Sequence, residues 1–387
     1  MTLKVGAGAC VEPFMVMDVI AAANQLTATA KADEPRVIHM EVGQPSGGAP
    51  EPARHAAACA LAAAESLGYT ETLGLMALRS RIAEHYQEWY RLSLPSSRVA
   101  VVAGASAGFP LAFLAAFHHG DTIALATPCY PPYLNVMEAL GLKPLILEAD
   151  ETTGFQPTVE RLAALPVKPD GLLIASPANP TGSMLRPDDL AALAVYCEHT
   201  GIRLISDEIY HGLTYGQRAV TAASFSRSAI VINSFSKYFS MTGWRIGWMI
   251  VPEDLVRTVE CLAQNLFICA PHVSQVAALA AFEAHSELTA RRDGYARSRG
   301  ILLDALPRAG YRKLSPADGA FYIYADASHT GMDSTEVCAK MLTEQRIAIT
   351  PGHDFDRGRG ASFVRFSYCA AEADVAEAVR RLTAGLV

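Results

Sequence analysis

The sequence is poor in charge. Asp, Glu, Lys and Arg make up 18% of its 387 residues, and 32 Lys plus Arg against 39 Asp plus Glu leave a formal net charge of −7. The basic residues never gather into the cationic stripe that holds nucleic acid, so nucleic acid is not expected as a partner. C-x-x-C pairs are also missing. Cys10, Cys59, Cys129, Cys197, Cys261, Cys269, Cys338 and Cys369 are scattered and show no zinc-like Cys/His spacing. No metal site is expected, and the cysteines read as small hydrophobes of a reducing compartment. Glu12 and Asp18 interrupt the apolar N-terminal stretch, which leaves no continuous signal-peptide core. One long stretch without charge, Val99–Phe117, carries Gly104-Ala105-Ser106-Ala107-Gly108-Phe109-Pro110 in its interior. Those residues break a single helix, so the stretch reads as buried strand, tight turn and buried helix rather than a membrane span. A cytoplasmic protein without a membrane partner is expected. Internal repeats, low-complexity tracts and flexible linkers are lacking as well.

What remains is ample core. Apolar residues reach 51%, and the length suggests two domains or three. Short apolar runs bounded by Gly, Pro or Asp recur at Val99–Ala103, Thr122–Ala126, Pro144–Glu148, Leu172–Ala175, Arg203–Ser206, Ile230–Asn233 and Ile246–Val251. Helical segments such as Phe109–Phe117 and Pro187–His199 lie between them. This pattern predicts an α/β fold, a mostly parallel seven-stranded sheet with helices on both faces. Only 12 residues separate Asn233 from Ile246, without a clear crossover helix, so the last strand is expected to run antiparallel. After about residue 290 a charged helix (Arg291–Leu306), strands near Gly319–Tyr324 and Ser362–Ser367 and a helix from Glu372 suggest a smaller α+β domain. The expected division is 1–45 as an N-terminal arm and part of the small domain, 46–289 as the large domain, and 290–387 as the small one.

Four segments carry chemistry. Gly104-Ala105-Ser106-Ala107-Gly108 matches a G-x-S-x-G nucleophile elbow with Ser106 as nucleophile. It matches equally an anion cradle made by the amides of Ala105, Ser106 and Ala107, or a plain close-packing turn. Ser206-Asp207-Glu208-Ile209-Tyr210 follows a buried strand, where a ligand crevice is expected. A carboxylate there is costly to bury alone, so Asp207 should face a cation. Ser234-Phe235-Ser236-Lys237 ends the next strand. A desolvated Lys237 amine is nucleophilic towards carbonyls, and Arg245 stands eight residues on. Asn179, in Ser176-Pro177-Ala178-Asn179-Pro180-Thr181-Gly182, ends a third strand. Asn179, Asp207 and Lys237 are 28 and 30 residues apart, about one βα repeat each, so all three can line one sheet edge.

Together, N-P-T-G, D-E-x-Y, S-x-S-K and G-x-R-x-G resemble the class I/II aminotransferases in order and spacing. These are the fold-type I, aspartate aminotransferase-like enzymes that use pyridoxal 5′-phosphate. The resemblance runs from Val42-Gly43-Gln44-Pro45 to Arg365-Phe366-Ser367. It implies that Lys237 forms the Schiff base with the cofactor aldehyde and moves the substrate α-proton. It implies that Asp207 pairs with the pyridine nitrogen, keeping the ring an electron sink. Tyr210 and Asn179 would bond the ring's phenolic oxygen, and Tyr130 would stack on the ring. Ser234, Ser236, Arg245 and the turn of Ala105, Ser106 and Ala107 would hold the phosphate. Tyr69 would reach the phosphate from the neighbouring subunit of a homodimer. Arg365 would clamp the substrate carboxylate, and Gly43 would lie beside the substrate. The implied activity is a ping-pong exchange of an amino group between an L-amino acid and a 2-oxo acid.

The chain departs from many relatives at Gly43-Gln44-Pro45-Ser46-Gly47. Neither Glu12-Pro13-Phe14-Met15-Val16-Met17 nor Phe109–Phe117 offers a cation for a second carboxylate. An amino donor with an apolar, aromatic or small side chain is therefore expected over aspartate, the donor of an aspartate aminotransferase. Fold-type I lyases share these core residues and stay open as an alternative. A serine α/β-hydrolase using Ser106, with His353 and Asp326 or Asp333, leaves Lys237, Asp207 and Arg245 without roles. The effector domain of a transcription regulator fits poorly with the acidic charge.

Overall fold

The computed structural model describes residues 3–9, 11–31, 33–63 and 66–384. The chain opens with helix α1 (Met15–Ala28), the short strand β1 (Ile38–His39) and helices α2 (Glu51–Ala62) and α3 (Met76–Tyr90). A strand–helix alternation follows: β2 (Val99–Val102), α4 (Ala105–Ala116), β3 (Thr122–Thr127), α5 (Pro132–Ala139), β4 (Lys143–Glu148), α6 (Val159–Ala163), β5 (Gly171–Ala175), α7 (Pro187–Thr200), β6 (Arg203–Asp207), β7 (Ile230–Ser234) and β8 (Gly247–Ile250). These seven strands form one sheet in the order β2-β8-β7-β6-β5-β3-β4. Strand β8 is antiparallel to both neighbours, Val231 facing Ile250 and Val99 facing Ile250, while the other pairs are parallel. The seven expected strands and the single antiparallel one are therefore present.

Alternation along the strands sends side chains into two cores. Leu204, Val231 and Trp248 face a core with Leu78 and Ile82 of α3 and Leu190 of α7. Ile205, Ile232 and Met249 face the other, with Phe109 and Phe113 of α4 and Tyr133 of α5. The start of α4 corrects the sequence expectation. The helix begins at Ala105, not Phe109, and runs through Gly108 and Pro110. Proline at the sixth position removes only the bond to the Ser106 carbonyl. Gly108 lets the helix lie close on the sheet, where a Cβ would stand 3.3 Å from Ile232 Cγ2.

The chain continues through α8 (Val256–Leu266), α9 (His272–Ala281) and the long α10 (His285–Arg308) to β9 (Tyr322–Asp326). Then come α11 (Ser334–Gln345), β10 (Ile347–Ala348), β11 (Thr350–Pro351), β12 (Phe363–Ser367) and α12 (Glu372–Ala384). Strands β11-β12-β9 form an antiparallel sheet, in which Arg365 faces Tyr324 and Ser367 faces Tyr322. Strand β1 pairs in parallel with β10, and α1 packs against β10 and β11. The N-terminal segment thus packs with the C-terminal elements. It also touches the large sheet's flank, because Asn135 Nδ2 donates to Glu12 O at 3.0 Å. Among the described residues no helix is long and apolar enough to cross a membrane, and Val99–Phe117 is split between β2 and α4. No cluster of three or more His, Cys, Asp or Glu side chains among them could hold a metal ion.

Candidate active site

The carboxyl ends of β5, β6 and β7 are adjacent, and each releases its chain into a loop that carries one polar side chain into a common crevice. Strand β6 ends on Asp207, which is 2% exposed. Its Oδ1 accepts from Ile209 N at 3.1 Å, and its Oδ2 accepts a short hydrogen bond from the Tyr133 hydroxyl. Those partners are an amide and a phenol, and no cationic side chain among the described residues forms an ion pair with it. Burial pushes the carboxyl up to about 6, against the opposing pull of Tyr133 and Ile209. Just past β7, the Lys237 Nζ donates to Gly43 O at 2.6 Å. Burial holds its ammonium down at about 8, and the Arg365 charge acts in the same direction. A lysine so lowered is a usable base and nucleophile near neutral pH.

Arg365 comes up from β12 and is buried. Its Nη1 donates to Asn179 Oδ1 at 2.8 Å and its Nη2 to Thr350 Oγ1 at 3.1 Å and to Glu41 O. Tyr322 and Phe355 lie 4.4 and 4.6 Å from the guanidinium carbon. Its buried Nε has no hydrogen-bond acceptor among the described residues. The Tyr210 hydroxyl meets the Tyr322 hydroxyl at 2.9 Å, and Lys237 Nζ lies 5.8 Å from the Tyr210 ring centroid. Tyr130 is edge-on to Phe14 at 5.9 Å and to Tyr133 at 5.3 Å.

On the other side of Lys237 lies a small polar cradle. Ser234 Oγ accepts from Ser236 N at 3.0 Å and donates to Ile246 O at 3.3 Å. Arg245, with a φ of 50° in the left-handed region, sends Nη2 towards Ser106 Oγ at 3.5 Å. Gly104 (φ 80°) leaves room for this, since a Cβ there would stand 2.5 Å from Arg245 Nη2. Ala107 N donates back to Gly104 O at 3.0 Å, so the amides of Ala105 and Ser106 are those left at the open end of α4. The side-chain partner of Ser106 is Arg245, not a histidine. His353 pairs instead with Asp333 at 2.7 Å.

A family model for aminotransferase class I and II matches residues 35–382. The chain belongs to the class I and II aminotransferases. It is 46% identical to a valine–pyruvate aminotransferase of Mycobacterium tuberculosis, over 99% of this chain and 98% of that one. It is 33% identical to a (5-formylfuran-3-yl)methyl phosphate transaminase of Methanocaldococcus jannaschii, over 96% of each chain. A crystal structure of an aminotransferase from Mycobacterium tuberculosis superposes with a TM-score of 0.96 at 46% identity, covering 100% of this chain and 99% of that one. The enzyme is thus an amino-acid/2-oxo acid aminotransferase that depends on pyridoxal 5′-phosphate.

The residues present fit that cofactor. It carries a ring nitrogen that can hold a positive charge, an aldehyde and a phosphate. Asp207 is a buried carboxylate whose protein partners supply no positive charge. Lys237 is an amine lowered by burial, and Arg245, Ser106 and the open end of α4 make an anion cradle. Of the residues singled out in the sequence, Gly43, Asn179, Asp207, Tyr210, Lys237 and Arg365 converge, with Ser234, Ser236, Arg245, Ala105, Ser106 and Ala107 beside them. Tyr69 is not brought in: it is 82% exposed, in a segment tied down by His272 Nδ1 donating to Gly68 O at 3.0 Å. Sequence reasoning passed over Tyr133, Phe14 and Tyr322. Tyr133 had a usable signal, its place one helical turn beyond Tyr130; Tyr322 had none, because its contacts come from strand pairing distant in sequence.

Proposed function

We propose that the enzyme transfers the amino group of an L-amino acid with an apolar, small or aromatic side chain, valine among them, to pyruvate or another 2-oxo acid. The observation that carries this is the aromatic surround of the carboxylate clamp. Tyr322 and Phe355 lie against Arg365, and Phe14 lies against Tyr130. The segment Glu12–Met17 that brings Phe14 there is held at Asn135 and at Asp354, which accepts from Met15 N at 2.9 Å. It contributes no cation for a second carboxylate. The name of the Mycobacterium tuberculosis relative adds weight.

The bound cofactor supplies an electron sink for the α-carbon's electron pair. The protein's part divides among its residues. Asp207 holds the ring nitrogen, and Tyr133 and Ile209 keep its carboxylate pointed. Tyr210 and Asn179 hold the ring oxygen, and Tyr130 covers the ring. Ser234, Ser236, Arg245 and the α4 amides take the phosphate. Arg365 binds the substrate carboxylate, turning from its present acceptors to a bidentate one. Lys237 Nζ takes the α-proton, which its lowered pKa allows near neutral pH. Gly43 borders the substrate.

We take 1–45 as arm and part of the small domain, 46–289 as the cofactor domain and 290–387 as the small domain. The pairing of β1 with β10 supports that division. A cytoplasmic homodimer is proposed, in which Tyr69 reaches the partner's phosphate cradle. Support comes from the exposure of Tyr69 and of Leu266, Phe267 and Ile268, which precede α9. Sedimentation should give a dimer, and Tyr69→Phe should weaken cofactor retention.

Two measurements test the main proposal. Borohydride reduction of the holoenzyme should fix the cofactor's mass on the Lys237 peptide. Comparison of kcat/KM for valine, alanine, methionine, phenylalanine and aspartate with pyruvate should favour the apolar donors. A clear preference for aspartate sinks the donor assignment.

A further inference from the structure

Tyr322 belongs to β9, in the small antiparallel sheet, yet its hydroxyl stands 2.9 Å from the Tyr210 hydroxyl, which comes from the loop after β6. Its ring lies against the Arg365 guanidinium, with 4.4 Å between carbon and centroid. A side chain at Gly43 would collide with it, because a Cβ there would fall 1.7 Å from the Tyr322 oxygen. Tyr322 therefore touches, from one strand position, the tyrosine at the sheet edge, the carboxylate clamp and the backbone that receives Lys237. Both phenols are buried, and burial pushes the Tyr210 hydroxyl well above its ordinary range, so it keeps its proton.

A phenol has one proton to give. If Tyr210 directs its own towards the cofactor's ring oxygen, it must accept from Tyr322, and the direction of the pair is set. We propose that Tyr322 is a positioning residue, whose hydroxyl donates to Tyr210 and thereby aims and strengthens the Tyr210 hydrogen bond to the cofactor, while its ring supports Arg365. This rests on the reading that Tyr210 faces the ring oxygen. A donor that is itself an acceptor of a hydrogen bond is polarised and donates more strongly. A donor to the ring oxygen favours the state in which that oxygen bears unshared negative charge, which lowers the pH at which the cofactor–lysine chromophore loses its proton. Removing the Tyr322 hydroxyl should therefore move that pH upwards.

The experiment is a pH titration of the visible absorption of the holoenzyme for wild type, Tyr322→Phe, Tyr210→Phe and the double variant. Tyr322→Phe deletes one oxygen and keeps the ring. Its midpoint should rise by roughly half a unit, with Tyr210→Phe rising further. Because Tyr322 acts through Tyr210, the double variant should titrate with Tyr210→Phe. The KM for the amino donor should stay within about twofold of wild type in Tyr322→Phe, and rise several-fold in Tyr322→Leu, which takes the ring from under Arg365. A Tyr322→Phe midpoint equal to wild type while Tyr210→Phe is shifted overturns the proposal, as does an additive double variant. An unshifted Tyr210→Phe overturns the reading of Tyr210 itself, and the proposal falls with it.

Discussion

Asp207 and Glu208 are neighbours at the end of β6, and the alternation of the strand turns them to opposite faces of the sheet. On the front face Asp207 joins Tyr133, Tyr210, Lys237 and Arg365 around the crevice. On the back face Glu208 sits among Ser206, His211, Tyr90 and the loop at Ala222. Its Oε1 accepts from Ser206 Oγ at 3.0 Å and from Ala222 N at 2.8 Å, and its Oε2 stands 3.6 Å from His211 Nδ1. Burial holds the His211 ring down at about 4 and so neutral, and with its Nε2 donating to Ser176 O at 3.0 Å its Nδ1 is left to accept from the Tyr90 hydroxyl at 2.6 Å. Burial acts on both acids in the same sense, lifting Asp207 to about 6 and Glu208 to about 8. The difference lies in what can relieve it. The front is organised around charges that an arriving molecule completes. The back neutralises itself within the protein and holds the loops of Asn179 and Tyr210 together through Ser176 and His211.

The largest effects should follow from the front. Lys237→Ala should reduce kcat by about 10³-fold or more while leaving a folded chain, since a proton-transfer group is lost. Glu208→Gln, which keeps shape and hydrogen bonds on the back, should leave kcat within about threefold. Comparable losses in both would erase the contrast between the faces. Arg365→Lys should come next. It replaces a planar fork by a point charge, and KM for the amino donor should rise about 10- to 100-fold, more than kcat falls. An unchanged KM would remove Arg365 from the carboxylate.

A third test reads burial directly. In the cofactor-free enzyme, acylation of Lys237 followed by mass spectrometry across pH should show a midpoint near 8 rather than the ordinary 10.5. A midpoint near 10.5 instead would mean that desolvation is not what activates it.

Much of the front was legible in the sequence because it is built on local grammar. Apolar runs bounded by turn residues mark buried strands, and the loops just after the parallel ones open at the crevice whatever the crossover between them does. Asn179, Asp207 and Lys237 were found that way, and the short Asn233–Ile246 connection foretold the antiparallel β8. Local grammar failed where packing decides. Gly108 and Pro110 read as helix breakers, yet α4 takes both in: one lies against Ile232, and the other costs a single hydrogen bond near the helix start. Asp207 was expected against a cation, and the chain's own partners for it are Tyr133 and Ile209 N. Tyr322 was legible only as a strand residue, because register with β12 and the absence of a side chain at Gly43 bring it to Tyr210.

The smallest expected effect isolates the back face, and it is one of stability. Glu208 moves from an ordinary 4.5 to about 8 on folding, so between those values the folded chain holds a proton that the unfolded chain has lost. Stability contributed there falls as pH rises through that window. His211 moves the other way, from 6.5 down to about 4; its contribution is complete above 6.5 and is lost as pH falls towards about 4. Asp207 is half titrated at about 6 and Lys237 at about 8, so each overlaps one end of the interval from pH 6.5 to about 8. Between pH 6.5 and about 8 Glu208 therefore contributes a falling slope, to which His39, raised by its hydrogen bond to Glu41, adds and which Lys237 opposes as pH approaches about 8. With the cofactor removed, the urea midpoint of the wild-type chain should decline across that interval more steeply than that of Glu208→Gln, which has no proton to lose at this position. Parallel declines would mean that the back-face carboxyl does not change charge there, and the two faces would then differ in access to the crevice but not in how they settle a buried acid.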